Sequence, residues 1–189
     1  MARSFASGGE YISIAPNAIF DGNSFSVAFR WRTSTAGQWE VLSKHQAVTS
    51  FNGWNFTSSN GSPNRLQWNA TAGSGGAFGC VDASVNASDG NWHSAVGRAV
   101  RTSSGTFDLM VDGTAATQAT GTSAFDPTAQ PFRIGRGLDT FWADFIGDIE
   151  DVAFWNAYLT NDESRAFCRG AAPGSIRPEN LKLWLPLGR

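Results

Sequence analysis

Three carboxylates fall within four residues in the stretch IGDIEDVAFWNAYLTNDE, Ile146 to Glu163: Asp148, Glu150 and Asp151. Acids this close could do two kinds of chemistry. Two carboxyls held about 5–5.5 Å apart can act as acid and nucleophile in retaining glycoside hydrolysis. Several converging oxygens can instead hold calcium, which takes roughly six to eight. The spacing bears on both. Asp148 and Glu150 share a strand face at i, i+2, but the next positions on that face, Val152 and Phe154, are apolar. No third acid continues the row. The apolar residues also change phase, Ile149 falling with Asp151 and Ala153 and Val152 with Phe154. A strand that buries both Ile149 and Val152 needs an extra residue between them, so the spacing predicts a β-bulge at Glu150–Asp151. Neither histidine, His45 or His93, has a Ser or Cys nucleophile beside it in an activating context, which argues against a hydrolase triad.

A second kind of site needs an aromatic platform with amide and carboxyl partners, as sugars do. The segment SFNGWNFTSSNGSPNRLQWN is rich in both. Strand alternation accounts for Trp54, Phe56 and Trp68, and Trp31, Trp92 and Trp155 read as core. Trp39 and Trp142 are the tryptophans that alternation explains least. Trp142, in the loop GLDTFWADF, is the first candidate for glycan or partner contact, followed by Trp39, Asn52 and Trp54.

The elements that would position these residues are mostly strands. In NSFSVAFRWRTS, Phe25, Val27, Phe29 and Trp31 fall on one face and Ser26, Ala28, Arg30 and Arg32 on the other. TFDLMVDGTAA repeats the pattern and ends in Asp112-Gly113, a pair suited to a two-residue hairpin turn. About ten strands follow from such runs, bounded by Gly, Pro, Asn and Ser. The last, over 180–188, puts Leu181, Leu183, Leu185 and Leu187 on one face, and Pro186 marks it as an edge strand. One helix is expected over LTNDESRAFCRG, with Thr160 or Asn161 as N-cap and Gly170 as stop. Thr71–Gly79 reads as a surface loop.

A chain of 189 residues, 41% hydrophobic and only 16% charged, fits one domain over 1–189, with its core over 11–168. The predicted fold is all-β, a two-sheet antiparallel sandwich with one short C-terminal helix. A net charge of −2 with scattered arginines gives no reason to expect nucleic acid. No segment approaches the roughly 20 apolar residues of a membrane span. Cys80 and Cys168 read as free, buried thiols. The start MARSFASGGEYISIAP lacks the apolar run of a secretory signal, which leads to the expectation of cytosolic synthesis and of chance sequons at Asn55, Asn60, Asn69 and Asn86.

The order of motifs resembles the laminin G-like, concanavalin A-like lectin and glucanase family. SFSVAFRWRTS resembles its first long core strand, and WEVLSKHQ the next. SDGNWHSAVGRAV resembles its Trp-His strand, FDLMVDGT its strand ending in Asp-Gly, and FRIGRG its Ile-Gly strand. FIGDIEDVAFWNAYLTNDESRAF resembles its closing strand and short helix. The resemblance covers about Phe25 to Phe167 and implies a jelly-roll fold. A common Trp-His-His is here Trp92-His93-Ser94, so a role for a second histidine is absent.

The family's glucanases carry patterns like Glu-x-Asp-x-x-Glu, which this chain does not complete, so an enzyme is not expected. The family's structural calcium would fall on Glu150 and Asp151, with Asp21 as a further ligand. The bland alternative leaves Asp148 and Asp151 solvated and Glu150 held by Arg133 or Arg136. The tail GAAPGSIRPENLKLWLPLGR is similar to extensions found in bacteriophage and bacterial structural proteins. The resemblance therefore implies a virion component, made in the host cytoplasm, that decorates a capsid or tail, touches surface glycans and self-associates as a homo-oligomer. The alternative is a carbohydrate-binding module outside a virion, and after it a glycoside hydrolase.

Overall fold

The alternating runs become strands in a computed structural model that describes residues 2–46, 52–59, 63–72, 79–82, 85–102, 105–116, 119–120, 129–137 and 142–188. In chain order these are β1 (Arg3–Phe5), β2 (Ile12–Ile14), β3 (Ser24–Arg32), β4 (Trp39–His45), β5 (Asn52–Ser58), β6 (Leu66–Ala72), β7 (Gly79–Asp82) and β8 (Trp92–Val100). There follow β9 (Thr106–Val111), β10 (Thr114–Ala115), β11 (Ala119–Thr120), β12 (Phe132–Ile134), β13 (Ala143–Asp144), β14 (Gly147–Trp155), the helix α1 (Asn161–Cys168) and β15 (Leu181–Leu185). The loop expected at Thr71–Gly79 begins and ends in β6 and β7, and residues 73–78 lie outside the described residues.

Two sheets result. Sheet A runs β1-β14-β3-β8-β9-β10, with β11 on β9 and β15 on β14; sheet B runs β2-β12-β4-β5-β6-β7, with β13 on β4. All pairings are antiparallel except the short β13–β4 contact. The fold is therefore the two-sheet antiparallel jelly-roll sandwich expected, with one helix. Its core is made by Phe25, Val27, Phe29 and Trp31 of sheet A facing Trp54, Phe56, Leu66 and Trp68 of sheet B. The β-carbon of an alanine at Gly97 on β8 would lie 1.4 Å from Trp68 Cε3, so the missing side chain there lets the indole seat against the opposite sheet. Phe5 is also fully buried, so the core begins upstream of residue 11, on a strand that closes the edge of β14.

The phase break in β14 is resolved as predicted. Glu150 pairs with Arg30 and Ala153 with Ala28, so Asp151 and Val152 together face the single residue between them, Phe29. Asp151 takes φ +51°, the left-handed backbone typical of a bulge. Both Ile149 and Val152 are consequently buried.

α1 and the tail form a third layer on the outer side of sheet A, burying Ala28, Val96, Ala153, Trp155, Leu159, Phe167 and Ile176 in a second apolar cluster. Thr160 accepts from Glu163 N–H while the Glu163 carboxylate accepts from Thr160 N–H, a capping box. Leu183, Leu185 and Leu187 pack against the main core, whereas Leu181 joins the second cluster because the β14–β15 register shifts between Phe154 and Trp155. Cys168 is a free, half-buried thiol pushed up by burial.

Candidate functional site

Asp148, Glu150 and Asp151 do not converge as a set of three. Asp151 is fully buried and ion-paired with Arg30, and its Oδ1 accepts from Trp184 Nε1 at 3.1 Å. Arg30 in turn lies 4.5 Å over the Phe167 ring and donates to the Phe167 carbonyl at 2.8 Å. Asp151 is thus neither solvated nor an outward calcium ligand; it is the anchor that ties β3, β14, α1 and the tail together. Glu150 faces Arg30 across the strands, and Arg133 and Arg136 belong to the sheet B side, so neither of them holds it. Asp21 sits in the turn before β3, 3.4 Å from the buried Lys44 ammonium. Among the described residues no group of three Asp, Glu, His or Cys side chains is placed to hold a metal ion. The set Glu150, Asp151 and Asp21 is not one site.

The candidate aromatics separate as well. Trp39 is buried, its Nε1 donating to the Thr35 carbonyl at 3.1 Å and to Ser88 Oγ at 3.3 Å. Trp54 is fully buried, and both it and Trp39 belong to the apolar core between the sheets. Asn52 is half-buried at the start of β5. Trp142 is half-buried, 6.2 Å from the His45 ring at an interplanar angle of 75°. Trp92, read as core, is 41% exposed. On β8 it is His93, Ala95 and Gly97 that face inward, His93 lying 5.1 Å from the Trp31 ring, so Trp92 falls in the outward phase.

His45 leads to a polar surface that the sequence did not announce. A β-bulge at Val41 sets Glu40, Ser43 and His45 on the outward side of β4. In register across sheet B, Arg133 of β12 pairs with Ser43, Ser43 with Asn55 and Asn55 with Asn69. Beside this row, Glu40 faces Thr57 and Thr57 faces Gln67. These side chains point away from the apolar core, yet Glu40, His45, Asn55 and Thr57 are at most 1% exposed. Part of the cover is the segment after β12. The Arg136 carbonyl accepts from Ser43 Oγ at 3.1 Å, and a β-carbon at Gly137 would stand 1.8 Å from Glu40 Oε2, so the chain passes close over the Glu40 carboxyl there.

The hydrogen bonds on this face are incomplete. His45 Nε2 meets Glu40 Oε1 at 2.8 Å, and Asn69 Nδ2 donates to Thr57 Oγ1 at 3.0 Å. Among the described residues the Asn55 amide has no partner for either its oxygen or its nitrogen. Leaving such a group buried costs about 1–3 kcal/mol. At the β12 end the face opens into a cavity of about 210 Å³ lined by Tyr11, Arg133, Arg136 and Gly137. Tyr11 is 45% exposed with Arg136 5.3 Å over its ring. Burial pushes the Arg133 guanidinium below its ordinary value, while the nearby Tyr11 and Glu40 act in the opposite sense. The arrangement offers an amide, hydroxyls, a guanidinium and aromatic rings within one sheet face.

Comparison with known proteins places the fold. Residues 6–163 match the Laminin_G_3 family model, described as the concanavalin A-like lectin/glucanases superfamily. A search of curated proteins finds no match. Among solved structures, a putative carbohydrate binding protein from Bacteroides ovatus superposes with a TM-score of 0.69 at 16% identity, covering 100% of this chain and 53% of that one. This chain thus spans about half of that protein. The heptameric SAP-like pentraxin from Limulus polyphemus gives a TM-score of 0.63 at 11% identity, covering 88% of this chain and 80% of that one. The CBM40 of a Ruminococcus gnavus IT-sialidase, bound to α2,3 sialyllactose, gives 0.66 at 8% identity, covering 88% and 96%. At these identities the superpositions show the fold alone. By the extent of the family match and by its two-sheet architecture, the chain belongs to the concanavalin A-like lectin/glucanase superfamily, as a laminin G-like domain.

Proposed function

We propose that this protein binds carbohydrate, without cleaving it, through the outward polar face of β12, β4, β5 and β6. The observation that carries the reading is Asn55: an amide held at 0% exposure with neither of its polar atoms partnered, centred in a register-matched row with Arg133, Ser43 and Asn69. Trp54 and Trp68 each leave one indole nitrogen orphaned in the core, whereas among the described residues Asn55 alone is left without a partner at two polar atoms. Sugar hydroxyls both donate and accept, which suits Arg133 and Tyr11 at the open end of the row, with Asn55 enclosed two strands further along it and Trp142 adding aromatic surface. The lectin-like neighbours support the same class of ligand. Cleavage is left out because Asp151 of β14 is committed to a buried ion pair with Arg30 and Asp148 to Arg32, which leaves the closing strand without two free carboxyls to act as acid and nucleophile. Screening on a glycan array, followed by titration of the best sugar, tests this. Saturable binding that Arg133→Ala weakens supports it, and an empty array contradicts it.

Attachment to a phage particle is proposed only on the tail motif. The tail itself is used inside the fold, with Leu183 pairing to Phe154 and Trp184 bonded to Asp151. Finding the chain among the proteins of purified virions would support that setting, and its consistent absence would remove it.

A further inference from the structure

The outer face of sheet A is only half covered. α1 and the tail lie over Ala28, Val96, Ala153 and Trp155, while the other end of the same face presents the cross-strand row Trp92, Arg32, Asp148 and Ser4. Arg32 stacks 5.1 Å from the Trp92 ring, and its Nε and Nη2 donate to Asp148 Oδ2 at 3.0 and 2.6 Å. The guanidinium is thereby fixed in place against one side of the indole. Glu150 follows Asp148 on this face, half-buried, and makes no hydrogen bond or ion pair among the described residues. With Ala2 these side chains line a cavity of about 450 Å³. A second cleft of about 240 Å³, reaching Thr35, Gly90 and the 37% exposed Ile146, shares Arg32 and Asp148 with the first. The two form one groove that passes over the Arg32–Asp148 pair.

We propose that this groove is a second binding site, for a neutral oligosaccharide of two or more pyranose units. An open indole suits the C–H face of a pyranose ring, and the Arg32–Asp148 pair holds a guanidinium and a carboxylate ready to meet hydroxyls. Glu150 adds an acceptor that none of the described residues uses. Two carboxylates against one guanidinium disfavour anionic sugars, and the single unpaired carboxylate offers little to a polycation. The site lies on the sheet opposite the face proposed above and stands independently of it. Two sites on opposite faces would let one molecule bridge glycan chains, with avidity exceeding either affinity.

The test follows the Trp92 indole N–H resonance by NMR, assigned with Trp92→Phe, during titration with cellohexaose, maltohexaose and mannohexaose and with their monosaccharides. The expected result is a saturable shift with at least one hexasaccharide, and binding roughly tenfold weaker for the matching monosaccharide. Trp92→Ala should weaken hexasaccharide binding by roughly tenfold or more, and Glu150→Gln by several-fold at unchanged melting temperature. Asn55→Leu on sheet B should leave the Trp92 shift intact, so failure of one site is distinguishable from failure of the other. The proposal is overturned if no hexasaccharide moves the Trp92 resonance, if both substitutions leave affinity unchanged, or if hexalysine moves it where the sugars do not.

Discussion

At the scale of single residues, the same chemical type has three fates here, decided by partners far away in sequence. Asp148 is part of an exposed pair, Glu150 faces a groove, and Asp151 is buried. No local pattern could assign them, because Asp151's partners are Arg30 on β3 and Trp184 in the tail. Replacing Asp151 with Asn would strand Arg30 beneath α1 and should cost about 3–5 kcal/mol in urea denaturation; a loss below 1 kcal/mol would show that the pair does not anchor the tail. The same commitment of Asp151 predicts that a calcium chelator leaves the melting temperature unchanged.

His93 shows the corresponding effect in solution pH. Its ring nitrogens lie 2.7 Å from Asp112 and 3.0 Å from Asp89, and the Asp112 hydrogen bond above all raises its pKa from 6.5. Asp89, held first by the Asn91 N–H and then by His93, is lowered from 3.8 to about 2. The raised histidine contributes stability in full below pH 6.5 and loses it as pH rises through the folded-state pKa. The lowered carboxylate contributes above pH 3.8 and loses it as pH falls towards 2. Thermal melts should therefore show a plateau between these limits with a decline on the alkaline side. That decline should be smaller in His93→Gln, and an identical profile in the variant would contradict the assignment.

At the scale of elements, what was legible was whatever repeats within one segment. The bulge in β14 could be read because Ile149 and Val152 both demand burial, and α1 because Thr160 and Glu163 carry the capping-box spacing. The two-residue strands β10, β11 and β13 could not, since two residues have no period. Trp92 was misplaced because both phases of WHSAVG look half-apolar, and only the seating of Gly97 under Trp68 fixes which one faces inward. Gly97→Ala should accordingly destabilise the sandwich by about 1–3 kcal/mol or more, measured by chemical denaturation. A neutral result would mean that the two sheets do not meet at this point.

For the whole molecule, the sandwich divides its outer faces between different tasks. Sheet A carries α1 and the tail on one half of its face and the Trp92 groove on the other. Sheet B carries the enclosed polar row, which sequence alone could not reveal. Ser43, Asn55, Asn69 and Arg133 come from four strands, and polar outward residues are what any exposed sheet would have. Only the register, together with the burial of Ser43, Asn55 and Asn69, marks them as unusual. On the proposed reading, such a face trades stability for ligand binding. Asn55→Leu measures both sides of that trade at once, by chemical denaturation and by titration with the best glycan from the array. Stability equal to or above that of the parent, with glycan affinity at the sheet B face reduced roughly tenfold or more, is the predicted result; lower stability with unchanged affinity would contradict the assignment of this face to carbohydrate.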